Sequence, residues 1–230
     1  MARVMTIITP LGGDVLLFHS MTASEMLGRL FEYNISVLSE KNNIDPDKLL
    51  GKNVTVKLEL PAGGSRFFDA YVTRFGLMGT HGRYYRYQII GRPWLWLLTR
   101  TSDCRIFQSK KVPEVIKEIF NKYSSAVIED NLTGTYEPWT YCVQYRETDF
   151  NFVSRLMEQE GIYYYFKHSE GKHTLVLADS YSAHSPFQNY AQIPYITQER
   201  QMRMEQEYIN DWVFTREIQP GAYVIDDYDF

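Results

Sequence analysis

Along residues 141–166 the polarity pattern changes period twice. Tyr141, Val143 and Tyr145 alternate with Cys142, Gln144 and Arg146, the period-two signature of a strand with one buried face, here the tyrosine and valine side. Thr148 follows as an N-cap, since its hydroxyl accepts from backbone N–H groups left free in a first helical turn, and Asp149 suits the positive end of the helix dipole. Phe152, Val153, Leu156 and Met157 then fall three and four apart on one helical face, with Asn151, Ser154, Arg155 and Glu158 directed elsewhere. Gly161 ends the helix because glycine enters the left-handed region freely, and Ile162, Tyr163, Tyr164, Tyr165 and Phe166 continue as a strand.

The same reading applied upstream gives short strands separated by turn residues. Phe31, Tyr33, Ile35 and Val37 alternate with polar neighbours, as do Val54, Val56, Leu58 and Leu60, so 31–38 and 54–60 are predicted half-buried strands. Pro61, Gly63 and Gly64 form a turn, 66–77 a further strand, Gly79, His81 and Gly82 a second turn, and 84–91 the strand that pairs back. Such spacing fits an antiparallel barrel or sandwich. Residues 93–101 read as a short helix or turn closing that unit. From Ser109 the character changes: Pro113 suits a first helical turn, and Val115, Ile116, Ile119, Phe120 and Tyr123 form a stripe. An α+β unit with two helices is expected over 105–195, including a strand at 174–177 and a surface loop over 180–194. Strands are expected again at 211–218 and 222–225, and the chain stops just after a hairpin begins, as if cut inside a domain.

Composition narrows the function. Eighteen Tyr and thirteen Phe among 230 residues suit strands and packed interfaces, and a net charge of −4 offers no basic field for nucleic acid. Cys104 and Cys142 lack metal-site spacing and read as reduced core residues. Pro10, Gly12, Gly13 and Asp14 interrupt the N-terminal apolar run before it reaches signal-peptide form, and no stretch approaches a membrane span. The expectation is a protein made in the cytoplasm, with no stable membrane insertion.

Candidate chemistry is sparse. Glu158 and Glu160 are two apart on a helix and cannot flank one bond as a glycosidase pair does. His168 and His173 bracket a turn and face each other across a hairpin, two metal ligands at most where a structural zinc needs four, so the hairpin reads as surface. His81 lies in a turn; His19 and His184 stand alone. Consecutive tyrosines alternate faces, so half of 163–166 is core and the other half available to a neighbouring subunit. Gly12, Gly13 and Asp14 lack the lysine and helix of a phosphate loop, and Ser20, Ser102 and Ser154 lack a nucleophile-elbow context. The sequence therefore predicts no catalytic, cofactor-binding or metal-ligating residues, no cofactor and no enzyme activity.

Several phrases together resemble one family. QYRETDFNFVSRLMEQEGIYYYF at 144–166, LLFHSMTASEMLGRLFEYNISVLSE at 16–40, LLGKNVTVKLEL at 49–60, RYYRYQIIGRPWLWLL at 83–98, CRIFQSKKVPEVIKEIF at 104–120 and HTLVLADS at 173–180 are similar to VgrG proteins, the spike proteins of type VI secretion systems. Asn151 departs from the acidic residue common at its position. The resemblance implies a mainly β, α+β fold of the phage tail hub kind: a first antiparallel β-barrel over 1–104, the α+β domain over 105–195 and the truncated start of a second barrel over 196–230. It further implies a homotrimer whose six barrels form a pseudo-sixfold ring on a hexameric, Hcp-like tube protein, with the outward faces of 31–38 and 54–60 turned to the tube. Baseplate components, and effectors or adaptors held by a missing C-terminal region, are the other implied partners. The protein would assemble in the cytoplasm and be exported with the tube without a signal peptide, to puncture target cells. Alternatives are the hub of a phage tail, a tailocin or an extracellular contractile particle, and, of another class, a secreted carbohydrate-binding or lytic protein.

Overall fold

A computed structural model describes residues 4–60, 63–186, 190–196, 208–222 and 224. They fall into two compact units, Met1–Ser185 and Pro186–Phe230.

The first unit begins with six antiparallel strands: β1 (Met5–Ile8), β2 (Leu17–Ser24), β3 (Glu32–Ser39), β4 (Asn53–Glu59), β5 (Ser65–His81) and β6 (Tyr84–Arg92). They are ordered β1-β4-β5-β6-β3-β2 in one sheet that curls into a half barrel, its edge strands β1 and β2 lying close without pairing. The alternation at 31–37 lands as expected, with Phe31, Tyr33, Ile35 and Val37 buried inside the curl against Val54, Val56, Ala70, Val72 and Ile89. Strand β4 is more covered than a half-buried strand, since Thr55 is buried too.

Sharp curvature leaves little room where β5 and β6 pair. A Cβ placed on Gly91 would stand 2.7 Å from the Cβ of Ala70. Gly91→Ala is therefore expected to destabilise the protein by about 1–3 kcal/mol through overpacking, read from the guanidinium unfolding midpoint. Ala70→Gly added to it should recover part of the loss, and no recovery would show that the clash is not the cause.

The rest of the unit is an α+β layer. It contains the ribbon of β7 (Ser102–Lys111) and β9 (Pro138–Thr148), helices α1 (Val112–Phe120) and α2 (Asp149–Gln159), and the sheet of β8 (Ile128–Asn131), β10 (Tyr163–Ser169) and β11 (Lys172–Ala178). In that sheet β11 lies centrally, antiparallel to β10 and parallel to β8. Helix α1 starts where Glu114 accepts from the Lys111 N–H at 2.9 Å and buries Val115, Ile116, Ile119 and Phe120. Helix α2 starts where the Thr148 hydroxyl accepts from Asn151 N–H at 3.1 Å, buries Phe152, Val153, Leu156 and Met157, and is followed by Gly161 at φ +70°. These side chains form a second core with Trp94, Leu95 and Leu98 of the 3-10 turn Trp94–Arg100. Phe166 packs against both cores.

Two expectations change. Strand β9 presents the opposite face: Tyr141, Val143 and Tyr145 are 63%, 45% and 64% exposed, while Cys142 and Gln144 are buried. The cause is the partner of Gln144, whose amide donates to Asp149 Oδ1 at 2.8 Å beneath the ribbon. In the second unit Tyr195 bridges Ile209, yet 211–218 form no strand. Among the described residues no neighbouring strand supplies this segment with a ladder. The expected strand at 222–225 lies partly outside the described residues.

Candidate functional site

The hairpin of β10 and β11 places His168 directly opposite His173, as the spacing predicts, but not at the surface. His173 is buried and held at both nitrogens: its Nδ1–H donates to Asp69 Oδ1 at 2.7 Å, and its Nε2 accepts from the Trp94 N–H at 2.9 Å. Those bonds assign the neutral tautomer. Asp69, buried on β5, also accepts from Asn53 Nδ2 and the Thr55 hydroxyl, each at 2.8 Å. Thr55 in turn accepts from the Gly171 N–H at the hairpin tip, at 2.9 Å, which explains its burial. The hairpin is thus bolted to the half barrel by a saturated polar cluster, with no lone pair of the imidazole left for a metal or a proton transfer.

His168 completes the cluster. Its Nδ1 lies 3.2 Å from the Asp69 N–H and its Nε2 3.2 Å from the Tyr33 hydroxyl, which donates to Glu25. Burial pushes the imidazole down to about 4, against the opposing pull of Glu25, and burial together with Glu25 pushes the Tyr33 phenol up. The linkage has a definite sign. The unfolded chain takes up a proton near pH 6.5 and the folded one only near 4, so stability falls as pH drops through that window. His168→Gln is expected to flatten that limb of a urea-midpoint profile between pH 7 and 4, and an unchanged slope would remove His168 as its source.

Two further carboxylates are caged. Asp149 on α2 accepts from Gln144, from the Tyr123 hydroxyl at 3.0 Å and from the Thr101 hydroxyl at 3.2 Å, and pairs with Arg105 at 3.2 Å. Burial works against ionisation of Asp179, but the N–H groups of Gly134 and Thr133 and the hydroxyls of Tyr136 and Thr133 outweigh it and hold the carboxyl at about 2. Sequence reasoning missed both cages. The donors of Asp149 come from the residue before β7, from β7, β9 and the loop after α1, and no local spacing announces them.

The remaining candidates stay apart. Glu158 is exposed on α2, and Glu160 caps the helix end. His19 and His81 are exposed with rings 5.0 Å apart, and His184 lies 2.8 Å from the Tyr163 hydroxyl. Gly12 and Asp14 take positive φ in a turn that leads into β2, not into a helix. Ser20 and Ser102 are exposed on strands and Ser154 half-buried on α2. Cys142 is buried, but Cys104 is exposed, because the β7–β9 register shifts between Asp103 and Arg105 and turns it outward. Of the tyrosine run, Tyr164 is buried and Tyr163 and Tyr165 are half-buried. No group of three or more His, Cys, Asp or Glu among the described residues has metal-holding geometry, and no helix among them is long and apolar enough to cross a membrane.

A curled half barrel bolted through the buried Asp69 to an α+β layer defines a β-rich scaffold. The chain belongs to the phage tail baseplate hub (GPD) family, whose model matches residues 24–230. It is 49% identical over 230 residues to the type VI secretion system spike protein VgrG1a of Pseudomonas aeruginosa, covering 100% of this chain and 36% of that protein. It is 47% identical over 228 residues to VgrG1b of the same organism, covering 99% of this chain and 31% of the relative. The chain thus spans about a third of the length of these relatives. Among solved structures it is similar to the E. coli c3393 protein, described as a type VI secretion component resembling T4 phage tail proteins gp27 and gp5 (TM-score 0.69, 22% identity, 84% of this chain and 52% of that one). It is also similar in fold to a tail protein of Neisseria meningitidis (TM-score 0.54, 14% identity, 86% and 55%).

Proposed function

We propose that this chain is the base of a type VI secretion spike, a structural hub without an active site of its own. The observation that carries the reading is 49% identity to a spike protein, sustained across all 230 residues. The fold agrees with it, since the half barrel and α+β layer are shared with a type VI component of known structure.

In this reading three copies assemble, each contributing a barrel over 1–104 and the beginning of a second over 196–230, with the α+β domain of 105–195 between. Six similar barrels then face a hexameric tube protein while the trimer continues as a threefold spike. The outward positions of β3 and β4, among them Glu32, Asn34 and Glu59, are exposed and polar, as a reversible docking ring requires. Sheath contraction supplies the free energy, so the scaffold needs stiffness in place of chemistry, and its buried polar bolts provide it. Effectors, adaptors and baseplate proteins are further partners of the longer protein, which leaves the cell with the tube.

The test is deletion of the encoding gene in a strain with no other spike gene. Tube protein should disappear from the culture medium, killing of a susceptible neighbour should stop, and the full-length gene should restore both. Undiminished tube secretion in the deletion strain would overturn the proposal. Secretion lost only from an induced phage or tailocin particle would assign the hub to that particle.

A further inference from the structure

The loop that joins β2 to β3 stands out from the fold in an unusual way. It carries Met26 and Leu27 into solvent, 67% and 62% exposed. It is nevertheless pinned: Gly28, at φ +67°, donates its N–H to the Tyr164 carbonyl of β10 at 2.8 Å. Fixed apolar side chains in water mark a contact surface more often than a mobile loop does.

On one side of this ridge, against α2 and the start of β10, lies a cleft of about 440 Å³. Leu27, Phe150, Met157 and Ile162 give it an apolar wall. Two of its charged groups are unspent. Arg29 has no ion pair or side-chain hydrogen bond among the described residues, and neither has Glu158. Arg155, by contrast, is consumed by Glu147 and the Val143 carbonyl. Tyr164 also lines the cleft, is only 2% exposed, and its hydroxyl has no hydrogen-bond partner among the described residues. Arg29 and Glu158, which line the same cleft, both act electrostatically on that hydroxyl. A buried donor left unpaired is destabilising, and that cost is recovered when a ligand oxygen accepts from it.

We propose that this cleft binds an extended peptide segment of a partner protein in which a carboxylate-bearing residue adjoins an apolar one. The apolar side chain packs on the Leu27–Met157 wall, the carboxylate pairs with Arg29, and a peptide oxygen accepts from Tyr164. Glu158 sets the specificity, because it repels a second carboxylate and so rejects polyacidic segments. A free small anion would leave the exposed ridge uncovered. A peptide crosses it, towards a second cleft of about 290 Å³ on the far side that shares Leu27 and Arg29. This site does not depend on the spike reading.

The experiment selects a phage-displayed random octapeptide library on the immobilised full-length protein. Enriched peptides should share a carboxylate beside an apolar side chain. Binding of one synthetic, labelled peptide should fall about tenfold with Arg29→Ala and about fivefold with Tyr164→Phe. Tyr164→Phe should melt no lower than wild type, since it removes a hydroxyl with no partner, so its weaker binding would not reflect unfolding. The proposal is overturned if no sequence is enriched over undecorated phage, or if enriched peptides bind both variants as they bind wild type.

Discussion

Asp69→Ala is expected to lower the unfolding free energy by about 3–5 kcal/mol, the range found when one partner of a buried polar cluster is deleted. The side chain accepts from Asn53 Nδ2, the Thr55 hydroxyl and His173 Nδ1–H, and the last two donors lie where water does not replace it. His173 and Thr55 are themselves buried, so each strands a polar group. The loss also reaches the Gly171 and Trp94 N–H groups, which depend on Thr55 and His173 for their acceptors. Because these residues come from β4, β5, the turn after β6 and the β10–β11 hairpin, the variant loosens the hairpin from the half barrel. Asp69→Asn keeps one acceptor oxygen and should lose less than half as much. Guanidinium unfolding of both variants checks the prediction, and a loss below about 1 kcal/mol for the alanine variant would show that the cluster is not what holds the hairpin.

The same cluster marks the boundary of what sequence alone reveals. The opposition of His168 and His173 follows from hairpin arithmetic, because a four-residue turn region fixes the register. Their burial does not, since it depends on Asp69, a hundred positions away. Strand β3 reads directly from its alternation because Phe31, Tyr33, Ile35 and Val37 differ sharply from their polar neighbours. Strand β9 misleads under the same rule. Its outward tyrosines look like core, and its inward Gln144 looks like surface, because the glutamine is held by Asp149 and not by apolar contact. The four central strands of the half barrel and both helices are thus legible, while its edge strands β1 and β2 are not, and the polar bolts are set by long-range contacts that no local period encodes. The cleft beside Leu27 belongs to this second kind, since it brings Arg29 to Glu158 and Tyr164 from a distant stretch of the chain.

Asp149→Ala is the second substitution expected to cost about 3–5 kcal/mol. In sequence Asp149 reads as a first-turn acid favouring the helix dipole, a contribution of under about 1 kcal/mol at an exposed site. In the fold it is buried and accepts from Gln144, Tyr123 and Thr101 while facing Arg105. Burial works against the Arg105 charge, and the hydrogen bond it donates to Asp103 and the field of Asp149 together hold its pKa above the ordinary value. Deleting Asp149 leaves that guanidinium half as well compensated and takes one of the two acceptors from the Gln144 amide under the ribbon, the Glu147 carbonyl being the other. The two readings separate cleanly. A dipole role predicts that Asp149→Asn and Asp149→Ala cost similar small amounts, both reduced by salt. The buried-acceptor role predicts that the alanine variant loses several kcal/mol at any ionic strength, the asparagine variant less, because its remaining oxygen still accepts. Equilibrium unfolding at low and high salt distinguishes them, and a small, salt-sensitive loss for both variants would return Asp149 to the surface role its sequence position suggests.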